Sequence, residues 1–129
     1  MASNDAAPTA GIKTDDHDGV LVATVSGELD MISVDGVGAS LFELLNKQPD
    51  GLVVELAVDF MGSSALSMLL ELHGRAQREK VGFAIVAVQP AAVRPMMASA
   101  LGQVLPLTDS VEAAIALIRE ALKASDKPS

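Results

Sequence analysis

The chain has 129 residues, half of them hydrophobic, which is enough to bury one core and predicts a single domain. It contains no cysteine, so disulfides, thiolate metal sites and cysteine nucleophiles are excluded. Nine basic and seventeen acidic residues give a net charge of -8, which argues against binding to nucleic acid or to an anionic membrane, because both need a basic patch.

The first elements in chain order are predicted to form a hairpin after a short tail. Residues 1–10 are small and polar and include a proline, which predicts a disordered segment. The dipeptide Asp18-Gly19 is a strong turn signal between two strands, which are expected over about Ile12–His17 and Val20–Ser26. Gly27 is expected to break the second strand.

A helix and a central strand are predicted next. Apolar residues recur at helical spacing after Ser33, which is expected to be the N-cap residue. The members of this series are Val34, Val37, Leu41, Leu44 and Leu45. A polar turn over residues 46–51 separates them from the apolar run Leu52–Leu56, which is typical of a strand covered on both faces.

The second predicted helix, from about Ser64 to Gln77, is apolar over most of its circumference. Such a helix is deeply buried or needs a partner. A buried strand is predicted at Phe83–Val88, followed by a helix that begins at Pro90, a position where proline is tolerated.

The last elements are a short strand, predicted over Val104–Leu107, and a helix capped by Ser110. The order is β-β-α-β-α-β-α-β-α. This alternation predicts an α/β domain over residues 11–122, with a mixed sheet of four or five strands and about four helices. Residues 123–129 are predicted to be a flexible tail.

Two serines, Ser63 and Ser64, stand where the central strand ends and the second helix begins. A serine there can be a helix cap, a phosphate acceptor, or both, and the residues alone leave these alternatives open. Of the two, Ser64 is favoured as the cap. Glu28 and Asp30 are read with equal weight as turn chemistry at a strand end or as part of an acidic interface near the serines.

Patterns of catalytic or metal chemistry are absent from the sequence. It has no Gly-rich phosphate loop, no Gly-x-Ser-x-Gly elbow and no acid–base pair beside a nucleophile, so we expect neither enzymatic activity nor a cofactor. His17 and His73 lack acidic or histidine neighbours at ligand spacing, and Asp15, Asp16 and Asp18 do not fit a calcium loop. We therefore expect no metal site.

A targeting or membrane segment is also not indicated. The start lacks a basic stretch followed by an apolar one, and no apolar run reaches the roughly 18 residues of a membrane span. We therefore expect a cytoplasmic protein without membrane contact. The net charge of -8 discourages self-association and favours a monomer.

Four segments carry a resemblance to a known family. They are Gly27-Glu28-Leu29-Asp30, Phe60-Met61-Gly62-Ser63-Ser64-Ala65-Leu66, the apolar series from Val93 to Pro106, and Ser110-Val111-Glu112-Ala113-Ala114. Over roughly residues 12–120 the chain resembles the STAS domain, and specifically the bacterial anti-sigma factor antagonists. The strand-to-helix segment is the most specific of the four, and the order of elements supports it.

The resemblance implies a partner-switching regulator of transcription, with a role in stress response. In this family the unphosphorylated antagonist binds an anti-sigma factor that is also a serine kinase, and the sigma factor is released. The kinase then phosphorylates the antagonist and ends the complex, and a PP2C-type phosphatase resets it. The family pattern Asp-Ser-Ser/Thr-Gly-Leu maps the acceptor to Ser63, with Ser64 as second choice. The partner-binding residues expected from this mapping are Glu28, Asp30, Met61, Gly62, Ser63, Ser64 and Ser67.

The chain departs from the family pattern at two positions. Gly62 stands in place of the Asp beside the acceptor, and Ala65 stands in place of the Gly, which is a mild change because alanine suits a helix. Two other functions stay open. One is a STAS accessory subunit of another machine, such as a lipid-transporting ABC complex, and the other is a small nucleotide-binding α/β protein.

Overall fold

Strands and helices alternate through the structure, a computed structural model that describes residues 10–100 and 103–126. The elements are β1 Ala10–His17, β2 Val20–Leu29, α1 Val34–Asn46, β3 Gly51–Met61, α2 Ser63–Arg78, β4 Gly82–Val86, α3 Pro90–Ala98, β5 Leu107–Thr108 and α4 Val111–Asp126. The predicted α/β class and the predicted order of elements are confirmed. Of the tails predicted over residues 1–10 and 123–129, residues 1–9 and 127–129 lie outside the described residues.

One mixed sheet holds all five described strands in the order β1-β2-β3-β4-β5. β1 pairs antiparallel with β2 through the turn at Asp18 and Gly19, which both have positive φ. Asp16 accepts the Gly19 N–H at 2.9 Å and supports this turn. The remaining neighbours are parallel, so the carboxyl ends of β2, β3 and β4 point toward the same edge of the sheet.

The sheet buries both faces, and successive residues of a strand serve opposite cores. The larger core includes Val54 and Ile85 and contains side chains from α1, α2 and α3. The smaller core includes Val53 and Val86 and is closed by Ala114 and Ile118 of α4. This division explains the near-continuous apolar runs of β3 and β4, since both faces of these strands must be covered.

A β-bulge corrects the expectation that Gly27 ends the second strand. Gly27 lies at φ +91°, and β2 continues past it to Leu29. Gly27 pairs with Val58, but the next residue, Glu28, pairs with Phe60, so β3 carries one extra residue at Asp59. The glycine changes the pairing and does not terminate it.

Two chain boundaries near the ends also differ from the prediction. Ala10, placed in the tail, pairs with Gly27 as the first residue of β1. Residues 123–126, placed in the flexible tail, continue α4 to Asp126, because no glycine or proline interrupts the helix before Pro128.

The last strand is shorter and later than the predicted Val104–Leu107, since only Leu107 and Thr108 pair with β4. Pro106 accepts a hydrogen bond from the Ile85 N–H at 2.8 Å, but it has no N–H to donate back. The ladder therefore forms only after the proline. Ser110 caps α4 as predicted, because its hydroxyl accepts the Ala113 N–H at 3.0 Å.

Candidate functional site

The carboxyl ends of β2 and β3 lie side by side and bring two of the predicted segments together. Leu29 pairs with Met61, and the Gly62 N–H donates to the Leu29 carbonyl at 3.0 Å. This bond holds Gly62 in an extended conformation, with φ -91° and ψ 177°. The segment containing Glu28 and Asp30 is thereby fixed next to the start of α2.

The loop between β2 and α1 is organised by Asp30 and Ser33. The Asp30 carboxylate accepts the Ile32 N–H at 3.0 Å and the Ser33 N–H at 2.9 Å. The Ser33 hydroxyl accepts the Asp30 N–H at 3.1 Å and donates to the Glu28 carbonyl at 2.6 Å. Ser33 is the N-cap residue of α1 as predicted, but its hydroxyl holds the loop and makes no cap bond.

The hydrogen bonds to Asp30 also set its titration. The backbone N–H of Ser33 has the largest effect and, together with that of Ile32, holds the pKa of the Asp30 carboxyl below its ordinary value against the opposing effect of desolvation. Because this pKa is lower in the folded state than in the unfolded state, the ionised Asp30 carboxylate stabilises the fold at pH values above its unfolded-state pKa. This stabilisation is lost as the pH falls through the folded-state pKa. The structure therefore gives Asp30 the turn role, and partner contact stays a prediction for Asp30 and for the exposed Glu28.

Helix α2 begins at Ser63, directly after the bond that fixes Gly62. Gly62 is the N-cap residue, so the expectation that Ser64 is the cap is wrong, because Ser64 is already the second residue inside the helix. The Ser63 side chain is exposed and that of Ser64 is half-buried. Ser67 is exposed one turn further on and lies on the same side of α2 as Ser63.

The bulge at Asp59 decides which apolar residue faces outward at the end of β3. Along β3, Leu56 and Val58 point into the larger core, and regular alternation would place Phe60 there too. The extra residue inverts the alternation, so Met61 is 5% exposed and belongs to the core, whereas Phe60 is 49% exposed. The Met61 side chain is therefore not at the surface, and the partner contact expected for Met61 stays a prediction.

Three large apolar side chains at this edge were missed by the sequence reasoning: Met31, Ile32 and Phe60. Each lies within three residues of Leu29 or Gly62, the two residues joined by a backbone hydrogen bond. The Cα atom of each is therefore at most roughly 11 Å from the Cα atom of Leu29 or Gly62. The available signal was an adjacent pair of large apolar residues inside a loop bounded by Asp30 and Ser33. We call Met31, Ile32 and Phe60 the edge patch.

Comparison with known proteins matches the STAS domain family model to residues 11–114 of this chain. The chain belongs to the STAS family. Its relatives include the anti-sigma-F factor antagonist RsfB of two Mycobacterium tuberculosis strains, CDC 1551 / Oshkosh and H37Rv. Each is 31% identical over 109 residues, which is 81% of this chain and 85% of RsfB. The predicted membership among the anti-sigma factor antagonists of this family is confirmed.

Solved structures agree with this assignment. An anti-sigma factor antagonist from Mycobacterium paratuberculosis superposes with a TM-score of 0.79 at 32% identity, covering 92% of this STAS chain and 99% of that chain. The unphosphorylated form of the anti-sigma factor antagonist SpoIIAA superposes with a TM-score of 0.66 over 85% of this chain and 97% of that chain. At 19% identity, the second comparison supports the fold alone.

A carboxylate at position 62 of this STAS domain is expected to fit. A Cβ atom on Gly62 would lie 3.5 Å from Phe60 Cε2 and 3.8 Å from the Leu29 carbonyl oxygen, which are ordinary contacts. Gly62→Asp should raise the free energy of unfolding by a few tenths of a kcal/mol, since an N-cap carboxylate accepts N–H groups of the first turn. Urea unfolding measures the change. Gly62→Ala, which lacks the acceptor, should show no gain, and an equal gain from both variants would contradict the capping explanation.

The described part of the chain contains neither a candidate metal site nor a candidate membrane-spanning helix. Residues 10–100 and 103–126 contain no group of three or more His, Cys, Asp or Glu side chains that could hold a metal ion. His73 packs against Phe83 with ring centroids 5.5 Å apart, and burial lowers its pKa. Within those same residues, no helix has the length and apolar character to cross a membrane.

Proposed function

We propose that this STAS protein is an anti-sigma factor antagonist that acts by binding and not by catalysis. Its unphosphorylated form binds an anti-sigma factor with serine kinase activity in the cytoplasm, and the sigma factor is released. The observation that carries the proposal is the exposed Ser63 side chain at the first residue of α2, next to the loop that Asp30 organises. The names of the mycobacterial relatives support this function over that of a transporter subunit or a nucleotide-binding protein.

Phosphorylation of Ser63 is the proposed off-switch. A phosphate adds about -1.5 to -2 charges and three acceptor oxygens. At the start of α2 a negative charge interacts favourably with the helix dipole, by roughly 0.3–1 kcal/mol. The domain should therefore stay folded after phosphorylation. The charge would instead enter an interface that fits a small hydroxyl, where an unpaired buried charge costs several kcal/mol. A PP2C-type phosphatase would restore the binding form.

Co-purification followed by a kinase reaction tests this function. The tagged chain, which we expect to be a monomer, is used to isolate partners from lysate of the source organism, and the complex is then incubated with Mg-ATP. We expect an anti-sigma factor to be retained and then released, with one phosphate on the peptide that contains Ser63. Ser63→Ala should retain the same partner without release. Release without phosphate, or phosphate only on Ser64, would contradict the proposed switch.

A further inference from the structure

Met31 and Ile32 are the two most exposed large hydrophobic side chains in the described part of the chain, at 82% and 85% of their full area. Single exposed apolar residues are ordinary, but an adjacent exposed pair in one short loop indicates a contact surface. Phe60 adds a half-exposed aromatic ring on the neighbouring strand. Methionine and aromatic residues are enriched where protein interfaces are buried.

The loop presents the pair on a fixed backbone. The Ile32 and Ser33 N–H groups donate to the Asp30 carboxylate, and the Val34 N–H donates to the Asp30 carbonyl at 3.0 Å. The Ser33 hydroxyl closes the other side of the loop on the Glu28 carbonyl. A loop that is ordered before binding loses little backbone entropy in the complex, so the apolar area that it buries contributes more fully to affinity.

The charges in the two segments that contain the edge patch have one sign. Acidic residues occur at Glu28, Asp30, Asp35 and Asp59, and neither residues 27–37 nor residues 57–67 contain a lysine or an arginine. Glu28, Asp35 and Asp59 are exposed. A second copy of this chain would bring the same acidic groups together, so the surface disfavours self-association and suits a basic partner.

We propose that Met31, Ile32 and Phe60 are the apolar anchor through which this antagonist binds its anti-sigma factor, and that the partner presents a hydrophobic cleft rimmed by lysine and arginine side chains. The inference rests on the proposed function and names the residues that supply the affinity. Ser63 then acts as the switch beside the anchor, since a small hydroxyl buries little apolar area, whereas a phosphate would bring an unpaired charge into the apolar cleft and not onto its basic rim.

Titration calorimetry with matched variants tests the anchor. The probes are the anti-sigma factors with serine kinase domains from the same genome, each purified singly. Met31→Ser combined with Ile32→Ser should raise the Kd by roughly 100-fold, because both side chains lose their buried contacts. Leu117→Ser, which removes a 44% exposed apolar side chain from α4, should change the Kd by less than about threefold. Since all three positions are exposed, the melting temperatures should stay close to that of the wild type.

Charge reversal tests the basic rim of the partner. Glu28→Lys should slow association by about tenfold at low salt, and the difference from wild type should shrink as NaCl is raised. Glu43→Lys makes the same charge change on an exposed position of α1 and should have little effect. Equal effects of the two variants would overturn the assignment of a basic rim facing this edge.

The outcomes separate this inference from the function on which it rests. Wild-type binding with an unchanged Kd for the Met31/Ile32 double variant would overturn the anchor and leave the antagonist function standing. Absence of wild-type binding to every anti-sigma factor would overturn the function and the anchor with it. Loss of a wild-type dimer in the double variant, measured by sedimentation, would assign the patch to a second copy and overturn the proposed partner.

Discussion

Replacing Ser63 with aspartate is expected to weaken binding to the anti-sigma factor by tenfold or more, which corresponds to about 1.4 kcal/mol. Aspartate places a fixed charge at the first residue of α2, next to the acidic residues Glu28 and Asp30. The fold should not suffer, since an acid in the first turn of a helix is favourable by roughly 0.3–1 kcal/mol. Ser63→Ala should leave the Kd within a few-fold of wild type, because only an exposed hydroxyl is lost.

Calorimetry and thermal unfolding of the same samples distinguish a switch from a structural role. Ala116→Asp is the matched control, because it adds the same charge at an exposed position of α4, which packs on the opposite face of the sheet from α2. It should bind like the wild type. If Ser63→Asp binds with wild-type affinity while Ser63→Ala lowers the melting temperature, the serine is structural and the proposed switch is wrong.

The fold follows from local patterns that are strong in this chain. The apolar series from Val34 to Leu45 has helical spacing, and it forms the buried side of α1. The runs in β3 and β4 are apolar on both faces, and the sheet is covered on both faces. The boundary near Ser63 and Ser64 could be predicted because the change from strand to helix is abrupt there, although α2 begins at Ser63, one residue before the predicted start. The choice of Ser63 as the phosphate acceptor came from the family resemblance and stays a prediction.

The composition of the site depends on features with no local signal. The inward turn of Met61 and the outward turn of Phe60 follow from the bulge opposite Gly27, and a bulge is a property of two paired strands. A glycine in one strand does not reveal whether the strand ends or continues with a changed register. The cap was misassigned for a related reason. Gly62 precedes the helix because its N–H is bound by Leu29, which is more than thirty residues earlier in the chain.

The close approach of α4 to the sheet gives the second large expected effect. Gly51 and Gly82 are partners in the pairing of β3 with β4, and a Cβ atom on either would lie 2.6 Å from Ile118 Cγ2. Gly82→Ala should therefore destabilise the domain by about 1–3 kcal/mol through overpacking. Ile118→Ala, which empties the fully buried centre of the smaller core, should cost about 2–5 kcal/mol.

Combining the two substitutions tests whether the contact causes the loss. The alanine at position 82 would occupy space vacated by Ile118, so the double variant should be more stable than the sum of the single losses predicts, by about 1 kcal/mol or more. Urea unfolding with linear extrapolation measures all three changes in the free energy of unfolding.

Gly36→Ala is the control, because a Cβ atom there meets no atom within 4 Å. A glycine-to-alanine change inside α1 should stabilise the domain by roughly 0.5–1 kcal/mol. Strictly additive losses would show that the contact between Gly82 and Ile118 does not limit packing. Because α4 lies across the sheet from Ser63, the Gly82 and Ile118 variants should lower the melting temperature without changing the Kd for the anti-sigma factor at temperatures where they remain folded.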